Sequence, residues 1–156
     1  TEEGNLLVFG KTSKLGDIWT PKISQIVTQV SVGYLHCLAL CDDGSIWSYG
    51  VGGNGELGTR NSKQYPDDFH LVEPISCGII EIACGGRFSL ALDRENNIWE
   101  FGLATTGGNL SKRETKKRNL IPVQVIFPNN EKVQTICASE KYCAALDERG
   151  FPWVWG

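Results

Sequence analysis

The stretch "DDGSIWSYGVGGNGELG", residues 42–58, places a short aromatic run between an Asp-Gly pair and a glycine-rich segment. The run from Ser45 to Tyr49 is typical of a short β-strand, and the Asp-Gly pair before it is typical of a tight hairpin turn. So much glycine around so little strand indicates a turn-rich unit. Such a unit is expected to recur along the chain, because one small hairpin cannot bury its own apolar face.

Copies of this stretch do recur. Trp47 aligns with Trp99 and Trp153, at a period of about fifty residues. An Ala-Leu pair before each tryptophan and a glycine after it align on the same frame. A partial copy stands at 4–10, with Leu7 in the tryptophan position. The chain therefore divides into a partial copy and three further repeats, which we place at 1–26, 27–78, 79–131 and about 132–156.

Each full repeat predicts a small antiparallel sheet. A β-rich run ending in a small residue is followed, after a Gly-x-x or Ser-x-x connection, by an Ala-Leu run and then by the aromatic run. The second connection carries Gly44, Asn96 or Gly150 at the position where a tight turn requires a positive φ. A variable fourth segment near a proline completes the unit. Sheets that repeat at this period with a Gly/aromatic motif are typical of a β-propeller, and we expect the aromatics to hold neighbouring blades together.

The repeats resemble the regulator of chromosome condensation 1 (RCC1) repeat. Residues 30–58 match its Gly-x-x-His, Ala-Leu, Asp-Gly, Trp-x-aromatic-Gly and Asn-x-x-Leu-Gly elements, and residues 82–102 match with Phe88 replacing His. In residues 136–156, Ser139 replaces Gly and Tyr142 replaces His. The resemblance implies an all-β RCC1-like β-propeller. About three blades would be present here, out of a ring of about seven.

Composition sets limits on function. The net charge is −3 and 41% of the residues are hydrophobic, so the chain can bury a core and has no global field that would attract nucleic acid. Its longest apolar runs are too short to span a bilayer, and its first residues lack the pattern of a signal peptide. We expect a cytoplasmic or nuclear protein without membrane insertion.

The sequence offers no enzyme site. Its six cysteines include no Cys-x-x-Cys pair and recur at core positions, which predicts small buried thiols rather than metal ligands or disulfides. His36 is expected to hydrogen-bond to backbone within its own blade. No Ser–His–Asp order converges, and we expect no catalytic residue, no metal and no cofactor.

The resemblance implies either a protein-binding platform or a guanine nucleotide exchange factor for a Ran-like GTPase. In the exchange factor the residue after the first glycine is often Asp, whereas here that position holds Tyr34, Gly86 and Glu140. We therefore expect a non-enzymatic protein–protein interaction scaffold. The alternatives that remain open are an exchange factor or regulator of a small GTPase, and a chromatin-binding unit.

Two sets of residues are candidate sites. The first occupies one repeat phase beside the Gly-x-x connections and is expected to cluster on one rim as a partner-binding face: Tyr34, Leu35, Arg87, Glu140 and Lys141. The second is a basic loop for an anionic partner, which would be a phosphate backbone, an acidic protein tail or an import receptor: Lys112, Arg113, Lys116, Lys117 and Arg118.

Closure is a further expectation. Propellers use 4–8 blades to cover their blade faces, so three blades would leave an apolar flank at each end. We expect the remaining blades in the same chain or a second arc to complete the ring. The Trp153–Trp155 end is the expected junction, because its aromatics would pack on a following blade.

Overall fold

A computed structural model describes residues 6, 8, 20–60, 65–75, 78–103, 117–128 and 131–156, with the backbone alone at 65–67. Over these ranges the chain forms eleven β-strands and one 3₁₀ turn, Glu73–Ile75. No described helix could cross a membrane. The strands are β1 (Val27–Val32), β2 (His36–Cys41), β3 (Ile46–Gly50), β4 (Tyr65–Leu71), β5 (Ile79–Cys84), β6 (Phe88–Asp93), β7 (Ile98–Leu103), β8 (Arg118–Val125), β9 (Val133–Ala138), β10 (Cys143–Asp147) and β11 (Pro152–Trp155).

The strands form three antiparallel sheets in which each strand pairs with its neighbour in the chain. The orders are β1-β2-β3-β4, β5-β6-β7-β8 and β9-β10-β11. The register repeats between sheets, since Ala39, Ala91 and Ala145 each lie opposite a tryptophan. The predicted all-β fold of about three antiparallel blades is confirmed. Of the partial copy at 4–10, all but residues 6 and 8 lie outside the described residues.

The sheets pack face to face in chain order. β5 contacts β1 and β2 of the first sheet, and β9 contacts β5 and β6 of the second. This places β1, β5 and β9 as the inner strands of three consecutive propeller blades. Two apolar cores lie between the blades: the first joins Leu38 and Ile46 to Ile82 and Phe101, and the second joins Leu90 to Trp155 and others.

The Trp153–Trp155 pair packs on the preceding blade, so the expectation that these two rings pack on a following blade was wrong. That this end is a junction to further blades stays a prediction. Trp155 is only 8% exposed. Both indoles meet Phe127, which follows β8, edge-on at centroid distances of 5.5 and 5.7 Å. Side chains alternate between the two faces of a strand, and these two occupy the face turned to the preceding blade. The residue between them, Val154, is 69% exposed.

The hairpin turns have the backbone that the sequence predicted. Gly44, Asn96 and Gly150 have φ values of 80°, 65° and 83°. These lie in the left-handed region, which glycine and asparagine enter at lower cost than other residues.

The same turns hold a carboxylate that anchors the tryptophan of the third strand. Asp93 accepts hydrogen bonds from the backbone N–H of Asn97 and from Nε1 of Trp99, both at 2.9 Å. Asp147 accepts from the Trp153 indole at 3.2 Å and from backbone N–H groups of its own turn. The first blade has Cys41 at this position. Nε1 of Trp47 is accordingly buried without a partner in the part of the chain that the structure describes.

These carboxylates are ionised in the folded chain. Burial acts to raise the pKa of Asp93 and of Asp147, but donated hydrogen bonds outweigh it, and both pKa values lie below the usual 3.8. A lowered folded-state pKa contributes stability above pH 3.8 that is lost as the pH falls through the folded-state value.

In the first two blades, the connection between the first and second strands requires a residue without a side chain, Gly33 or Gly85. A Cβ on Gly33 would lie 2.2 Å from Cε1 of His36 and 2.5 Å from the carbonyl oxygen of Gly85 in the next blade. A Cβ on Gly85 would lie 2.2 Å from Cζ of Phe88. The ring three residues on therefore lies directly over the glycine. This contact explains the Gly-x-x-ring spacing.

We predict that Gly33→Ala destabilises the fold by about 1–3 kcal/mol, because the new methyl group overlaps the His36 ring and a backbone carbonyl that cannot move independently. Gly53→Ala is the matched control, since a Cβ there meets nothing within 4 Å. It should change the free energy of unfolding by less than about 0.5 kcal/mol. Urea unfolding followed by circular dichroism measures both; equal midpoints for the two variants would contradict the packing argument.

We predict that Trp99→Phe costs about 1–2 kcal/mol more than Trp47→Phe. Both changes remove a similar part of a ring, but only the first removes a hydrogen bond to an ionised carboxylate. Denaturant titrations of the two variants against the parent chain give the difference. Equal costs would show that the indole–Asp93 bond adds nothing to stability.

Candidate partner-binding rim

One edge of the three blades is formed by the connections between their first and second strands. We call this edge the hairpin rim and define it by residues 33–35, 85–87 and 139–141. Backbone hydrogen bonds link neighbouring connections: the N–H of Tyr34 donates to the carbonyl of Gly86 at 3.2 Å, and the N–H of Gly86 donates to that of Glu140 at 3.1 Å. Residues far apart in sequence thus lie side by side.

The five residues of the first candidate site lie on this rim with exposed side chains. Tyr34 is 71% exposed and Leu35 is 58% exposed. Lys141 and Glu140 form an exposed ion pair at 4.0 Å, which is too long and too solvated to contribute much stability. Arg87 has no carboxylate partner among the described residues. Their role in binding stays a prediction.

Tyr142 directly follows the hairpin rim in the third blade, and sequence reasoning missed its exposure. It occupies the repeat position of His36 and Phe88, whose rings are buried, yet it is 59% exposed. The signal was Ser139, which stands where the other repeats have glycine. A Cβ on Gly33 or Gly85 would overlap the ring three residues on, so a residue with a Cβ at position 139 is incompatible with the same ring position in the third blade. The Ser139 hydroxyl instead accepts a hydrogen bond from the Tyr142 N–H at 3.2 Å.

The last two residues of the basic loop, Lys117 and Arg118, lie where β8 begins, at the edge of the second blade that carries the hairpin rim. Lys117 and Arg118 are exposed, and Arg118 pairs with Leu103 at the start of β8. The N–H of Leu103 donates to the carbonyl oxygen of Arg87 at 2.8 Å. The other three cations of the second candidate site, Lys112, Arg113 and Lys116, lie outside the described residues.

The predicted burial of the cysteines holds only in part. Cys41, Cys84 and Cys143 are buried, but Cys137 is exposed, because it lies on the face of β9 turned away from the second blade. Burial raises the pKa of Cys37 to about 12 and that of Cys84 to about 11, so both remain thiols at neutral pH. Cys77 lies outside the described residues.

Comparison with known proteins identifies the repeats. Two family models, both described as the regulator of chromosome condensation (RCC1) repeat, match residues 43–92 and 27–56. The chain is an RCC1-like repeat protein. The matched ranges together cover the first blade, including the Gly-x-x-ring connection, and reach into the second.

Relatives of this RCC1-like chain are longer than it is. It is 30% identical over 132 residues to the RCC1 domain-containing protein RUG3, mitochondrial, of Arabidopsis thaliana, covering 83% of the chain and 29% of that protein. It is 30% identical over 135 residues to the probable E3 ubiquitin-protein ligase HERC3 of Homo sapiens, covering 85% and 12%. The chain therefore spans less than a third of either relative.

A solved structure shares the fold. Prp20p from Saccharomyces cerevisiae superimposes with a TM-score of 0.76 at 19% identity, covering 97% of this chain and 39% of that one. Prp20p has binding properties towards Gsp1p and histones. At this identity the likeness concerns the fold alone.

The histidine of the RCC1-like motif joins two blades. Nε2 of His36 lies 2.9 Å from Oγ of Ser89, and the Ser89 hydroxyl donates to the carbonyl oxygen of Glu56 at 2.9 Å. Because a hydroxyl has a single hydrogen, this network assigns the ring hydrogen to Nε2 of His36. The expectation that His36 bonds backbone within its own blade was wrong, because the ring points across the junction.

The next junction replaces this polar pair by an apolar one. Phe88 and Cys143 stand at the repeat positions of His36 and Ser89, and both are buried in one apolar core. Each junction thus keeps its pair matched in polarity, as the cost of an unpaired buried polar group requires.

Burial lowers the pKa of His36 below 6.5, and the nearby Glu56 carboxylate offsets this only in part. A lowered folded-state pKa means that His36 contributes stability above pH 6.5 that is lost as the pH falls below it, because the unfolded chain then binds the proton more readily. We predict that His36→Phe with Ser89→Cys removes this pH dependence. Urea midpoints of the parent chain and the double variant, measured above and below pH 6.5, test this prediction. If the midpoint of the variant falls with pH as steeply as that of the parent chain, the dependence comes from other groups.

Proposed function

We propose that this RCC1-like chain acts as a non-enzymatic protein-interaction scaffold that binds its partner through the hairpin rim. The observation that carries the proposal is the exposure of Tyr34 and Leu35 beside Arg87, on connections fixed to one another by backbone hydrogen bonds. Tyrosine and arginine, together with tryptophan, are enriched among the residues that dominate the energy of protein interfaces.

Rigidity supports the same proposal. The rim residues belong to connections that are short and tied at both ends. The N–H of Gly33 donates to the carbonyl of His36 at 2.8 Å, and that of Gly85 donates to the carbonyl of Phe88 at 2.9 Å. A surface that is already ordered loses less conformational entropy when a partner binds.

A small-GTPase partner is a second candidate, because Prp20p, which shares the fold, has binding properties towards Gsp1p. We place scaffold binding above nucleotide exchange, since only Glu140 offers an acid at the position that is often Asp in the exchange factor. Chromatin binding would rest on the basic loop. The compartment that we propose is the cytosol or nucleus.

The test uses a photo-crosslinking residue in the whole chain. We expect p-benzoylphenylalanine in place of Tyr34 to crosslink a defined partner in extracts of the source cells, while the same group in place of Glu95, on the opposite edge, does not. Glu95 is exposed and belongs to the β6–β7 turn.

Equal crosslinking at both positions, or none at position 34, would contradict binding at the rim. Exchange is tested separately by release of labelled GDP from a Ran-type GTPase. Release accelerated by the chain and abolished by Glu140→Gln would make exchange the function instead.

A further inference from the structure

We infer that the partner presents an acidic protein segment to the hairpin rim, with Arg87 and Arg118 as its anchoring cations. This inference rests on the proposed function and adds the chemistry of the partner. It combines Arg87 of the first candidate site with Arg118 and Lys117, the two described residues of the second.

The fold brings these cations to one end of the second blade. Arg87 precedes β6, Leu103 ends β7, and Arg118 begins β8. Leu103 is hydrogen-bonded to the Arg87 carbonyl and paired with Arg118. The two arginines are therefore two strand spacings apart, about 10 Å at the backbone. Lys117 adds a third exposed cation beside them.

These charges are available to a partner. Among the described residues, none of the three cations has an ion pair. Of the described acids nearby, Glu56 is buried and its carboxylate accepts hydrogen bonds from Asn54. Glu140 is exposed on the third blade, where Lys141 lies 4.0 Å from it. A positive patch on a chain whose net charge is −3 is a local feature, and it complements carboxylates.

The opposite edge has the reverse character. Its turns expose Asp42, Asp43, Glu95 and Glu148, and Arg149 there is paired with Glu131. Opposite potentials on the two edges would orient an acidic partner towards the hairpin rim during approach.

The neighbouring apolar groups favour protein over nucleic acid. Tyr34 and Leu35 continue the patch onto the first blade, joined to it through the Tyr34–Gly86 hydrogen bond. Exposed aliphatic and aromatic side chains beside arginine match the centre of a protein interface. An extended segment advances about 3.3 Å per residue, so carboxylates about three residues apart would meet both arginines.

The experiment selects peptides from a random phage-displayed library on the whole chain, then measures the affinity of the selected peptide by fluorescence polarisation. We expect selected sequences rich in Asp and Glu with an aliphatic or aromatic residue. Arg87→Ser with Arg118→Ser should weaken binding about tenfold, and added salt should weaken the parent complex. The matched control removes two exposed cations from the opposite edge, Arg94→Ser with Lys132→Ser, and should change affinity less than about twofold.

The inference would be overturned if the library yielded no peptide, yielded neutral or basic peptides, or yielded peptides that bind both double variants equally. It would also be overturned if a single-stranded or duplex oligonucleotide bound more tightly than the selected peptide and the Arg87–Arg118 variant lost that oligonucleotide binding. Equal urea midpoints for the two variants exclude unfolding as the cause. Crosslinking at position 34 combined with non-acidic peptides would refute this inference alone, whereas no crosslinking there refutes the proposed function.

Discussion

The spacing between blades depends on how closely one main chain can approach the next at a glycine. The position of a Cβ on Gly33 is occupied by the His36 ring on one side and by the Gly85 carbonyl of the following blade on the other. Any side chain there would push the two inner strands apart. The backbone hydrogen bond from Tyr34 to Gly86 lies beside this contact and would be lost with it. At the junction of the first two blades, the absence of a Cβ on Gly33 therefore determines both the blade spacing and the geometry of the hairpin rim.

Along the inner strands, side-chain hydrogen bonds add to the close contact between blades that the glycine allows. The Gln29 amide bonds both the N–H and the carbonyl of Ile82 in the next blade, at 3.0 and 3.1 Å. Glu81, at the same repeat position, accepts from the N–H of Ile136 at 3.1 Å. Hydrogen bonds from a side chain to the backbone thus link the inner strands of neighbouring sheets, where no ladder of backbone hydrogen bonds joins them in the ranges that the structure describes. Because both junctions have such bonds, the blades keep one relative arrangement.

The local elements could be predicted from the sequence, because each is encoded within a few residues. The turn at Gly44 and the one at Asn96 follow from residue types that tolerate positive φ. Pairings across a junction could not be predicted in this way. The His36–Ser89 bond joins residues 53 apart, and its apolar counterpart, Phe88 with Cys143, becomes visible only once the two blades are placed together. The direction in which Trp155 faces also depends on which blade supplies Phe127.

The candidate site was only half predictable for a related reason. The exposure of Tyr34 followed from repeat phase, but the approach of Arg118 to the rim required the pairing of β8 with β7. Main-chain atoms make the bonds between neighbouring rim connections, so the side chains there are largely released from holding the fold. Tyr34 and Glu140 share one repeat position, and only Gly86 between them is constrained, since a Cβ there would lie 2.6 Å from the Glu140 carbonyl oxygen. The motif residues stabilise the packing of the blades, so the exposed side chains of the hairpin rim can differ between repeats without a change in the fold.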